Sequence, residues 1–192
     1  GLTQRYGKLD GFTDNYPLRR GKGSAYEGGV RVPAIIRWPG VTPPSSQCDE
    51  PVSTIDYYPT LLEAARCDGS ETRNQKLDGT SLGTLLRDPS QSLDRNLFWH
   101  YPHYHAGGDS PYGAIRSGPW RLIEFYEDDA IELYDLNADP GENHNLAGVQ
   151  PGITEKLRRQ LDSWRSTVNA QMPTPNPDHD SNKEQQVPKK QK

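Results

Sequence analysis

Residues 17–33 read Pro17-Leu18-Arg19-Arg20-Gly21-Lys22-Gly23-Ser24-Ala25-Tyr26-Glu27-Gly28-Gly29-Val30-Arg31-Val32-Pro33. Four glycines around one lysine let the backbone pass close to a small ligand while the ammonium supplies positive charge, so an anionic group is the natural partner. The spacing excludes a nucleotide P-loop: Gly23 follows Lys22 where that motif needs Ser or Thr, and Tyr16 stands where it needs its first glycine. From these residues alone, a structural Gly-rich turn with a solvated lysine is the other account of the stretch. Directly downstream, residues 31–38 (RVPAIIRW) are short, β-branched and bounded by Gly29 and Pro39-Gly40, which suits a strand buried on both faces. Such a strand needs neighbours that this segment does not supply, and without them it exposes apolar surface.

Working outward, Ser53 and Thr54 read as a helix start, with Pro59 in the first helical turn and Leu61, Leu62 and Ala65 as the apolar face. Residues 67–76 form a charged loop, and 81–87 (SLGTLLR) a short helix ended by Asp88-Pro89. Beyond that the texture changes. Runs at 96–101, 113–124 and 130–136 are aromatic and aliphatic with turn-rich stretches between, which predicts a small antiparallel sheet, the third run having one covered face. Ile153, Leu157, Leu161, Trp164 and Val168 recur at helical spacing and predict one amphipathic helix from Pro151 that covers the sheet. Residues 173–192 have almost nothing to bury, and a disordered tail is expected.

Composition narrows the function classes. Hydrophobic residues make up 32% of 192, with 18 Gly and 17 Pro, so the chain is loop-rich and a long helical bundle is excluded. A net charge of −4, with the basic cluster Lys189, Lys190 and Lys192 confined to the tail, argues against nucleic-acid binding. No window reaches the roughly 18 apolar residues of a membrane span. The start at Gly1 rather than Met carries the expectation that an upstream segment has been removed. Cys48 and Cys67 lie in loop-like surroundings, and a disulfide and two free thiols are both allowed.

The stretch PLRRGKGSAYEGGVRVPAIIRWPG, followed by VSTIDYYPTLLEAA, closely resembles the sulfatase family, in its arylsulfatase A-like branch of the alkaline phosphatase superfamily. AIRSGPWRLIEF, IELYDLNADPGENHNLA and the terminal helix resemble the C-terminal subdomain of that branch, so the resemblance runs over residues 1–177. It implies an α/β fold, α+β within this fragment: residues 1–90 as the end of a mixed-sheet catalytic domain, 91–172 as a small antiparallel sheet with a packed C-terminal helix, and 173–192 as the tail. It also implies hydrolysis of sulfate esters through a formylglycine nucleophile and a divalent cation, usually Ca²⁺, both expected upstream of this fragment, which by itself is expected to be inactive. Lys22 is the residue that maps onto the family's sulfate-contacting lysine, and it is the implied catalytic residue, neutralising sulfate oxygens and assisting the leaving oxygen. No metal ligand is assigned in this chain. Members are generally secreted, periplasmic or lysosomal, so an extracytoplasmic location is implied.

His100, His103 and His105 with Tyr101 and Tyr104 form the group HYPHYH. His103 and His105 are candidates for substrate recognition, against the plainer account of a half-buried aromatic strand end. Ser117-Gly118-Pro119-Trp120-Arg121 fits the Ser form of the formylglycine maturation pattern but lies where a C-terminal strand is expected. Asp14-Asn15 reads as a turn rather than a metal site, 127–129 as a hairpin turn and 139–142 as a turn after the strand. Arg19, Arg20 and Arg31 either extend the positive surface around Lys22 or pair with carboxylates. The partners expected are a sulfated small molecule or polysaccharide and the missing N-terminal part of the same domain. The alternative functions are a phosphoesterase or phosphonate hydrolase of the same superfamily, and a non-catalytic truncated carbohydrate-binding or interaction module.

Overall fold

The computed structural model describes residues 14–67, 76–104, 109–174 and 176–177. In chain order the elements are α1 (Glu27–Val30), a 3-10 turn (Thr54–Asp56), α2 (Tyr57–Ala64), α3 (Gly83–Arg87), β1 (Asn96–Tyr101), β2 (Tyr112–Ser117), β3 (Trp120–Phe125), β4 (Ile131–Asp135) and α4 (Pro151–Thr167). Contacts group them into two compact units, Arg31–Leu97 as one and Gly1–Val30 with Phe98–Lys192 as the other. The segment around Lys22 thus belongs with the sheet that lies some 70 or more residues further along the chain, not with the residues that follow it directly.

The strands hydrogen-bond in the order β1-β2-β3-β4. β2 and β3 pair antiparallel from Tyr112↔Phe125 to Ser117↔Trp120, and β3 and β4 from Trp120↔Asp135 to Glu124↔Ile131. The apolar run at 113–124, which reads as one strand, is therefore two. The chain reverses at Gly118-Pro119, where Gly118 takes φ +55° and proline cannot donate to a ladder.

Side chains alternate across the pleat, and both faces of the sheet are covered. Ile115, Leu122 and Leu133 point to one face and bury Leu157 and Leu161 of α4, with Phe98, Ile153 and Trp164 alongside. Pro151 occupies the first turn of α4, where its missing N–H costs nothing. Ala114, Ile123, Tyr134 and Leu136 point to the opposite face and bury Ala25 and Tyr26 from the Gly-rich segment. The expectation of one covered face on β4 is thus corrected: a second layer, 110 residues away in sequence, covers the other side. Among the described residues no helix is long and apolar enough to cross a membrane.

In the unit Arg31–Leu97, residues 31–38 form no strand. Ile35 is 97% exposed and Val32 73%, as expected of a β-branched segment without sheet neighbours. The 3-10 turn begins after Ser53 and runs into α2, which holds Pro59 in its first turn but has a polar inward side. Leu61 is 65% exposed, Ala65 is exposed, and Thr60 is buried instead. The reason is Asp56. Its carboxylate, fully buried, accepts from Arg95 at 2.6 and 2.5 Å, from the Ser53 N–H at 2.7 Å and from the Thr80 N–H at 3.0 Å. Burial pushes this carboxyl up, and the bonds from Arg95, Thr80 and Ser53 outweigh it and hold it below its usual range. Thr60 Oγ donates to the Asp56 carbonyl and accepts from the Leu82 N–H, so the helix packs through a hydrogen-bonded hub. Cys48 and Cys67 are free and exposed.

Candidate functional site

Lys22 lies in a turn closed by the Ser24 N–H donating to the Gly21 carbonyl at 3.1 Å, with Gly23 at φ +93°, which only glycine takes without strain. Its side chain is exposed and has no hydrogen-bond or ion-pair partner among the described residues. The backbone on either side of it is fastened.

Before the turn, Asn15 Nδ2 donates to the carbonyls of Arg20 at 2.9 Å and Gly28 at 3.2 Å, while the Asp14-Asn15 pair takes its expected turn role by accepting the Tyr16 N–H on Asp14 Oδ1 at 2.8 Å and the Leu18 N–H on the Asn15 carbonyl at 2.7 Å. The Gly28 N–H donates to the Arg19 carbonyl at 3.1 Å, an approach so close that a Cβ at Gly28 would overlap the carbonyl oxygens of Arg19 and Arg20. Arg19 is not a free positive charge. It lies 3.9 Å over the Tyr26 ring and donates to Tyr134 Oη at 3.0 Å and to the Glu142 carbonyl at 2.9 Å. Tyr134 and Tyr26 in turn donate to the same oxygen of Glu132, at 2.8 and 3.0 Å. Burial first, and then the Glu132 charge, push both phenols well above their usual range, so they remain donors.

After the turn, α1 begins with Glu27, whose carboxylate is buried and receives Arg121 and Arg116, each at 3.1 Å. Its N–H donates to Glu142 Oε2 at 2.7 Å. Arg121, fully buried on β3, also donates to the Ala25 carbonyl at 2.5 Å, lies 4.7 Å over the Trp99 ring and places Nε 3.4 Å from Glu142 Oε1. One guanidinium therefore hydrogen-bonds a carboxylate and a carbonyl and pairs by charge with a second carboxylate. Burial is the main influence on Glu142, and Arg121 and the Glu27 N–H only partly offset it, so the carboxyl is pushed up to about 7. A buried network of this kind is costly to assemble and specifies one arrangement when complete.

The third attachment is Asp109, in the connection before β2. Its N–H donates to the Gly23 carbonyl at 3.1 Å, its Oδ2 accepts the Ala25 N–H at 2.8 Å, and its Oδ1 pairs with Arg20.

Of the histidines, His100 is held within the fold, its Nδ1 2.8 Å from Tyr126 Oη and its Nε2 2.9 Å from the Gln171 carbonyl. His103 is exposed and stands edge-on to Tyr101 with 5.6 Å between ring centres, and Tyr101 lies 6.0 Å from Tyr112. It belongs to the same compact unit as Lys22. His105 lies outside the described residues, as do most of residues 1–20, most of the 67–76 loop and most of the tail. The Ser117–Arg121 pattern is a hairpin whose arginine is committed to Glu27. Asp109, Glu27, Arg121 and Glu142 were not among the expected site residues. Among the described residues no three His, Cys, Asp or Glu side chains gather as a cation site.

Comparison with known proteins gives this arrangement a family. Residues 21–167 match the family model described as N-sulphoglucosamine sulphohydrolase, C-terminal. A sulfatase of Formosa agariphila is 40% identical over 177 residues, covering 85% of this chain and 32% of that protein. Human arylsulfatase A is 36% identical over 167 residues, covering 75% of this chain and 31% of its own length. The crystal structure of Ps i-CgsB in complex with k-i-k-neocarrahexaose matches with a TM-score of 0.68 at 26% identity, over 95% of this chain and 39% of that one. The chain spans about a third of the length of these relatives. With the turn of Lys22 and the whole four-stranded sheet lying inside the matched residues, the chain belongs to the sulfatase family, in the C-terminal region that the family model describes.

Proposed function

We propose that the protein carrying this chain is a sulfuric ester hydrolase of the arylsulfatase type, and that Lys22 is its sulfate-contacting lysine. The observation that carries this is an exposed ammonium without a partner among the described residues, on a turn whose backbone is fastened on both sides by buried groups. An ammonium held in this way opposes the charge of the sulfate oxygens and of the ester oxygen as it departs, and its effect grows as the site closes to water. The nucleophile and the cation ligands belong, on this reading, to a part of the protein outside these residues, and the isolated chain is inactive. His103 and His105 are assigned to substrate recognition, and the location is extracytoplasmic. The oligosaccharide in the Ps i-CgsB complex supports a sulfated polysaccharide as the substrate class.

The test uses the full-length protein with its own upstream sequence. An aryl sulfate ester should be hydrolysed faster, in kcat/KM, than the matching aryl phosphate. Faster turnover of the phosphate would transfer the assignment to phosphoester chemistry.

A further inference from the structure

We infer that Asp109 is a positioning residue for Lys22, holding the turn that presents the ammonium, an inference that rests on the role proposed for Lys22. Three contacts place it there. They fall on residues 20, 23 and 25, so Asp109 brackets Lys22 from both sides. Its N–H donates to the Gly23 carbonyl at 3.1 Å, its Oδ2 accepts the Ala25 N–H at 2.8 Å, and its Oδ1 pairs with Arg20. The side chain of Asp109 is only 9% exposed, whereas that of Arg20 is 52% exposed. The bonds to backbone are therefore the sheltered ones, and the ion pair with Arg20 is open to solvent screening.

A turn built as Gly21-Lys22-Gly23 has more backbone freedom to lose than one without glycines. Within the turn itself one bond, Ser24 N–H to Gly21 carbonyl, closes the ring. Asp109 adds the external reference: with Gly23 and Ala25 both fixed to one residue of the sheet unit, the Cα of Lys22 has a defined place. Ala25 is fixed a second time through its carbonyl by Arg121, so the carboxylate of Asp109 and the guanidinium of Arg121 hold the two peptide units that flank the Ala25 Cα. A misplacement of about 1 Å in a group that contacts the reacting centre can cost on the order of 100-fold in rate.

The test is a double-mutant cycle in the full-length protein, with kcat and KM measured on an aryl sulfate ester. Asp109→Ala should lower kcat about 30- to 100-fold with KM changed by less than about 3-fold. In a Lys22→Ala background the same substitution should cost less than about 3-fold, because the lysine it positions is gone. Asp109→Asn keeps an acceptor for the Ala25 N–H and should retain most of the activity, and its smaller loss should also vanish in the Lys22→Ala background. Equal losses in both backgrounds, for either variant, would mark Asp109 as a structural residue only and overturn the inference. So would full activity of Asp109→Ala where Lys22→Ala is inactive, and that outcome leaves the role of Lys22 standing. Full activity of Lys22→Ala overturns both.

Discussion

On the α4 face of the sheet, Ile115, Leu122 and Leu133 meet Leu157 and Leu161, and Glu124 pairs with Arg158 and with Arg165, which also holds Asp162. On the opposite face the Gly-rich segment is joined to the sheet through Arg121, Glu27, Glu142 and Arg116, beside an apolar cluster around Tyr26. Apolar burial is non-directional, so a helix held by leucines can shift by fractions of an ångström at little cost. A guanidinium shared between two carboxylates and a carbonyl has one good geometry. The first face supplies stability and the second supplies position, and the lysine proposed to meet sulfate is carried by the second.

The largest effect should come from breaking the polar face. Arg121→Met removes the charge between two buried carboxylates and should lower the opening free energy of the β3 amides in the full-length protein, read by hydrogen exchange, by about 3–5 kcal/mol. It should also abolish activity that depends on Lys22. Next in size is Leu161→Ala on the other face, with an expected loss of about 3 kcal/mol in the same measurement. Here, below the melting temperature, kcat/KM should remain within about 2-fold of the unmodified protein. If Leu161→Ala impaired catalysis as severely as Arg121→Met, the division of labour between the faces would be wrong.

A smaller effect sharpens the comparison through pH. Glu142 is pushed up to about 7 in the folded state, above the ordinary carboxylate range, by burial and then by the Glu27 charge, against the opposing pull of Arg121, the Glu27 N–H and Arg19. A raised folded-state value means that the protonated form favours folding. This contribution is full below about pH 4.5 and is lost as pH rises through about 7. Exchange protection of the segment around Glu27 should therefore fall by about 1–2 kcal/mol between pH 5 and 8. Glu142→Gln should flatten that slope, and an unchanged slope would show that another group produces it.

The α4 face was legible in the sequence because Ile153, Leu157 and Leu161 repeat at helical spacing and mark their own orientation. The strands were legible as aromatic and β-branched runs, though not the reversal at Gly118-Pro119, since both arms of that hairpin are apolar and read as continuous. Residues 31–38 have strand composition, yet a strand is made by its neighbours, and none pairs with them among the described residues. Lys22 stood out through its glycines and the sulfatase pattern around it. The polar face did not, because its hydrogen bonds join residues 94 and 115 positions apart, and each acid sits in a stretch that local rules assign to a turn. Glu142 follows Asp139-Pro140-Gly141, and Asp109 follows Gly107-Gly108. The legible hint was Arg121, an arginine in the middle of the apolar strand run, where a charge needs a buried partner.

The most direct measurement is kcat/KM of the full-length protein on an aryl sulfate ester for Lys22→Ala and Lys22→Arg beside the unmodified enzyme, with the melting temperature of each. The lysine, exposed and without a partner among the described residues, predicts a loss of about 100- to 1,000-fold for Lys22→Ala, a partial recovery with Lys22→Arg, and unchanged melting temperatures. Activity unaltered by Lys22→Ala, or lost only in step with the melting temperature, would contradict the account.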